Sequence, residues 1–199
     1  TPLSVADPGT PFCLEALNPS EIIREMPFYF QLTNSSTEQI NTILAGETTV
    51  TPITPKTLQG YLTGFVDLIC RYQGKFYIMD YKSNWLGNHL SDYGPAGLEQ
   101  AMRDHNYGLQ YWLYTLVLHR YLQNAMGGDG QGWPNAAGAR DGGSGYDYAT
   151  HFGGVMYLFI RGMEPTLPGS GVYYVLPDRA TLERLDRCLT GNYGGAENG

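Results

Sequence analysis

The chain has 199 residues, 42% of them hydrophobic and 16% charged, with a formal net charge of −7. That length gives one domain with room for a sizeable core, and the composition is that of a soluble globular protein, not a disordered one. The acidic balance excludes a dedicated nucleic-acid binder with a basic footprint, though not an active site working on a strand that another component delivers.

Residues 1–18 hold two Pro-bounded turns without periodicity and read as a loosely attached lead-in. Ser20 is placed to cap a short turn over SEIIRE. Residues 25–32 (EMPFYFQL) read as a strand that Pro27 confines to an edge. Glu25, at its start, is either a solvated strand-end carboxylate or a third acid near the cluster described below. Residues 33–57, rich in Thr, Asn and Pro with an apolar patch at 40–44, read as a connection.

Residues 61–72 and 75–83 are rich in β-branched and aromatic side chains and flank Gln73-Gly74, the pattern of a hairpin with a two-residue turn. Counting outward pairs Tyr72 with Lys75, Ile69 with Ile78, and Asp67 with Asp80. Opposed residues have Cβ atoms roughly 5 Å apart on one face, and Lys82 shares that face by the period of two. Phe65, Ile69 and Ile78 are expected beside them. Two carboxylates on an apolar face must share a proton or a cation, so a divalent ion between Asp67 and Asp80 is the expected resolution.

After a loop at 86–97, placed to close over the site, residues 98–124 read as helical with a break near 106–108. Gln110 and Tyr114, at i and i+4, read as helix surface with a half-buried ring, or as a contact for a phosphate or a base. Residues 125–148 are Gly-rich and expected to form a flexible insertion. They lack the GK[ST] of a P-loop. Buried strands are expected at 152–161 and 171–176, an amphipathic helix at 180–189 and a tail at 190–199. The order predicts an α/β fold with a mixed sheet and packed helices.

Three distant cysteines, Cys13, Cys70 and Cys188, point to reduced thiols in a cytoplasmic protein. There is no apolar run of about 18 residues to cross a bilayer, no leader pattern, no zinc spacing and no GxSxG. Paired carboxylates with an adjacent ammonium suit phosphodiester hydrolysis with Mg²⁺ or Mn²⁺.

GFVD at 64–67, DYK at 80–82 continuing as SNW, and QYWLY at 110–114 resemble the RecB-family branch of the PD-(D/E)xK nucleases. Across about 25–187 the likeness extends to the C-terminal nuclease domains of exodeoxyribonuclease V beta subunits. It implies a restriction-endonuclease-like mixed sheet flanked by helices, filling 1–199 as a single nuclease domain. It implies Asp67 and Asp80 as metal ligands with the Tyr81 carbonyl, Lys82 as the catalytic lysine, Glu25 as the acid of the first strand, and Gln110 and Tyr114 as DNA-contacting support. It implies single strands delivered by helicase motors in complex with RecC and RecD, with ATP used only by those motors, and contact with RecA. Members carry a metal-binding His on a helix before the first strand. Here His89, His105, His119 and His151 all follow Leu58, so the likeness implies a domain without its first core helix. The competing expectation is a catalytically incomplete nuclease fold that docks RecA or a partner subunit.

Overall fold

The computed structural model describes Leu3, residues 12–126 and residues 145–190. Most of the expected Gly-rich insertion, 127–144, and the tail beyond Thr190 lie outside the described residues.

A five-stranded sheet organises the chain in the order β1-β2-β3-β4-β5. The strands are β1 (Ile22–Ser36), β2 (Thr57–Tyr72), β3 (Lys75–Lys82), β4 (Phe152–Phe159) and β5 (Val172–Val175). Neighbours are antiparallel except β3 and β4, which run parallel, so the sheet is mixed. The helices are α1 (Thr37–Ile43), α2 (Pro95–Asp104), α3 (Tyr107–Met126), the single turn α4 (Tyr148–His151) and α5 (Arg179–Leu189). This is the expected α/β class, consistent with a restriction-endonuclease-like fold.

Position in the sheet explains burial. β4 lies inside it and every one of its residues is buried, as a strand covered on both faces requires. The first half of β2 alternates exposed and half-buried residues, the signature of a ribbon with one wet face. One face of the sheet packs against α1, α2, α3 and α5 through Phe28, Ile69, Ile78, Trp112 and Tyr157. The other face is closed by Leu3, Phe12 and Leu17 over Cys70, Tyr77 and Met156.

Four expectations are corrected. The described part of the lead-in is not loose: Leu3 and Phe12 are fully buried, and Phe12 stacks on Tyr72 with ring centroids 4.5 Å apart. The segment SEIIRE is a 3₁₀ turn only through Glu21, and Ile22 already begins β1. The connection contains α1, whose N-cap Ser36 accepts a hydrogen bond from the Glu38 amide and whose Ile40 and Ile43 enter the core. Phe65 does not share a buried face with Ile69; it is 60% exposed.

That last difference has a local cause. Val66 and Ile69 are three residues apart yet pack into the same core, as do Met26 and Ile23 on β1. Both strands therefore slip by one residue at the same level, and their pairing register is preserved across the slip. On β1 the slip is taken up at Glu25, whose φ of +50° is the left-handed conformation. On β2 it falls at Asp67.

Candidate active site

β2 and β3 leave the Gln73-Gly74 turn in the expected register, and their recorded pairing ends at Leu68 opposite Met79. One step on, Asp67 and Asp80 stand opposite each other where the strands part. In an antiparallel ladder alternate residues exchange bonds, so the Tyr81 amide is next in line to donate to β2. It donates instead to Asp67 Oδ2 at 3.3 Å. The Asp67 charge also reaches Asp80 and Tyr114, which sets it on the helical side of the sheet.

Asp80 is 2% exposed. Burial pushes its carboxyl above the ordinary range, contact with the Lys82 ammonium pulls it back, and the neighbouring Asp67 adds a smaller upward push. Lys82 Nζ lies 2.5 Å from Asp80 Oδ2. This ammonium is the contact that holds the buried oxygen's charge.

Lys82 is gripped from several sides. It donates to Gln110 Oε1 at 3.2 Å. Its Nζ lies 3.9 Å from the Tyr107 ring centroid and 5.0 Å from that of Tyr157, within cation–π range. Gln110 Nε2 donates to the Tyr114 hydroxyl at 2.8 Å. The Tyr157 hydroxyl is within donating distance of Gln110 Oε1 (3.0 Å) and the Tyr107 carbonyl (3.2 Å). Burial, then the Asp80 charge, pushes the Tyr114 hydroxyl up to about 12, so it stays protonated at neutral pH.

The structure thus brings Asp67, Asp80, Lys82, Gln110 and Tyr114 together, with the Tyr81 backbone between the second acid and the lysine. Glu25 faces the level of Asp67 across β1, between the Arg24–Leu68 and Met26–Val66 pairs, but is exposed. Among the described residues no three His, Cys, Asp or Glu side chains gather closely enough to hold a metal ion. Two residues escaped the sequence reading. Tyr157 lies beside Asp80 in the parallel β3–β4 register, and Tyr107 follows the turn at Asn106 that separates α2 from α3. Tyr107 is fixed by donation to Asn84 Oδ1 at 3.3 Å and by stacking on His105 and Tyr157. The helical break near 106–108 was the only sequence signal for it.

Two opposed carboxylates, one of them buried with its charge shared by a single ammonium, are the donor set of a hard divalent cation. Magnesium is commonly held by one or two carboxylates, with water and substrate oxygens completing its shell.

No family model matches the chain. It is 40% identical over 134 residues to RecBCD enzyme subunit RecB of Escherichia coli strain K12, covering 67% of this chain and 10% of that protein. It is 38% identical over 169 residues to RecB of Haemophilus influenzae, covering 83% of this chain and 12% of the relative. Against RecB of Mycolicibacterium smegmatis it is 47% identical over 143 residues, or 66% of this chain and 12% of the relative. The chain spans about a tenth of the length of the curated relatives it matches. By this shared identity over most of its length, it belongs to the RecB family.

Proposed function

We propose that the chain is the nuclease domain of a RecBCD-type helicase–nuclease, of PD-(D/E)xK type, hydrolysing DNA phosphodiester bonds in the manner of exodeoxyribonuclease V. The work of such an enzyme is to degrade and process broken DNA ends for recombinational repair in the cytoplasm. The observation that carries the reading is the meeting of Asp67 and Asp80 at a parted strand end with Lys82 Nζ 2.5 Å from Asp80.

Asp67 and Asp80 would hold Mg²⁺, or Mn²⁺ in its place, with the Tyr81 carbonyl. When bound, the ion supplies Lewis-acid polarisation of the phosphate and a water of lowered pKa. Lys82, held by Gln110 and Tyr107, orients the attacking water and offsets charge developing on phosphorus. Gln110 and Tyr114 fix that lysine and face the strand, and Glu25 stands at the rim as a further acid. The remaining nine-tenths of such a subunit, with RecC and RecD, would supply the ATP-driven motors and deliver single strands. RecA is the expected recipient of the processed strand. Delivery by motors accounts for an acidic domain acting on a polyanion, since capture from solution is not its task.

The test is made in the full-length subunit assembled with its partners. Asp80→Ala and Lys82→Ala are expected to abolish strand cleavage while ATP-driven unwinding persists. Cleavage at wild-type rate in either variant refutes the assigned roles.

A further inference from the structure

Beyond the slip at Glu25 and Asp67, β1 and β2 continue as a long two-stranded ribbon. Its pairs Pro27–Phe65, Tyr29–Thr63 and Gln31–Tyr61 share one face, because paired residues project together and the strands alternate. The opposite face, with Met26, Phe28, Phe30 and Val66, is core. On the outer face Tyr29 is 80% exposed, Tyr61 72% and Phe65 60%. Large exposed rings lose the hydrophobic benefit of burial, and three on one face form an apolar patch of the kind that marks an interaction surface.

Spacing and charge narrow the partner. Tyr29 is a diagonal neighbour of both Phe65 and Tyr61, so the rings form a staggered row with steps of roughly 7–8 Å. Bases stacked in a duplex repeat at about 3.4 Å per strand. A ring row this open matches bases pulled out of stack, as on other aromatic sheet faces that hold single strands. The chain carries 19 carboxylate residues, yet residues 26–36 and 57–66 contain none; Lys56 adjoins one end of this ribbon, and Glu25, Asp67 and Arg24 lie at the other. A polyanion meets no carboxylate along these two segments.

We infer that the outer face of the β1–β2 ribbon is a stacking track for single-stranded nucleic acid, with bases seated on Tyr61, Tyr29 and Phe65. The substrate class rests on the nuclease reading; the track itself does not require cleavage. It selects an unpaired strand without regard to base sequence, since every base offers a ring face.

The test is binding of a fluorescent oligothymidylate to the 199-residue chain in EDTA, read by anisotropy, with an equal-length duplex as comparison. Wild type is expected to bind the single strand more tightly than the duplex. Each of Tyr29→Ala, Tyr61→Ala and Phe65→Ala should weaken binding at least about fivefold, the lower end for loss of one stacked base. Tyr29→Phe and Tyr61→Phe should retain it. The substituted rings are exposed, so unchanged circular dichroism and melting confirm intact variants. Asp80→Asn separates the two readings, since it should lose cleavage in the assembled enzyme and keep oligothymidylate binding. Equal binding by wild type and the triple alanine variant overturns the track, as does a preference for duplex. Wild-type oligonucleotide binding by the triple variant, combined with failure to assemble with RecC and RecD, would make the ribbon a subunit interface instead.

Discussion

Asp67 Oδ2 accepts the hydrogen bond of the Tyr81 amide at 3.3 Å, standing in for the next rung of the β2–β3 ladder. The side chain of one acid thereby holds open the strand end where the other acid sits. Asp67→Ala should leave this amide without its partner, and Asp67→Asn should keep it bonded through the amide oxygen. Hydrogen exchange at Tyr81 is expected to be at least about tenfold faster in the alanine variant, the equivalent of a roughly 1.4 kcal/mol bond, and near wild type in the asparagine variant.

Asp80 gives a pH dependence of definite sign. Its folded-state pKa is raised, so the native protein holds this proton more tightly than the unfolded chain does. Its contribution to stability is present below the unfolded value, about 4, and is lost as pH rises through the folded one. Asp80→Asn removes the titration. In metal-free buffer the variant is expected to match or exceed the wild-type melting temperature at pH 7, with its relative advantage shrinking toward pH 4. Melting curves across that range check it.

Tyr107 positions Lys82 without touching the acids. Its ring face lies 3.9 Å from the ammonium, and Asn84 fixes its hydroxyl. Tyr107→Leu removes the ring face and should lower kcat of cleavage by about tenfold, in line with a cation–π contact of 1–2 kcal/mol, with KM little changed. Tyr107→Phe keeps the face and should retain most of kcat. Steady-state kinetics on the assembled enzyme read both parameters.

Gly153 marks a close approach in β4. A Cβ there would overlap the ring of Tyr77, a β3 residue packed against Phe12 of the N-terminal segment. Gly153→Ala is expected to destabilise the fold by about 1–3 kcal/mol through overpacking. Urea denaturation should show a lower midpoint with an unchanged slope.

The hairpin was legible because Gln73-Gly74 announces a tight turn and the period of two carries the register outward to Asp67 and Asp80. The pairing of β3 with β4 was not, since the two strands are about 70 residues apart in sequence and a parallel neighbour leaves no turn to read. Tyr157 was hidden for that reason. The slip at Glu25 and Asp67 was equally silent: nothing in EMPFYF distinguishes a regular strand from one with a left-handed residue. It returns Phe65 to the wet face, where strict alternation had placed it beside Ile69. Thr33–Leu44 carried a usable signal, Ser36 followed by Thr37-Glu38-Gln39, that the Thr-rich surroundings obscured. Gln110 and Tyr114 could be placed on a helix from sequence, but the partner of that face, Lys82, became visible only when α3 was packed on the sheet.

The central claim is that Asp67 and Asp80 together hold one divalent cation. Titrating Mn²⁺ into the 199-residue chain and following free ion by electron paramagnetic resonance tests it most directly. The account predicts saturable binding that Mg²⁺ displaces, lost in both Asp67→Ala and Asp80→Ala. Wild-type binding retained in the double variant, or none in the native chain, would contradict it.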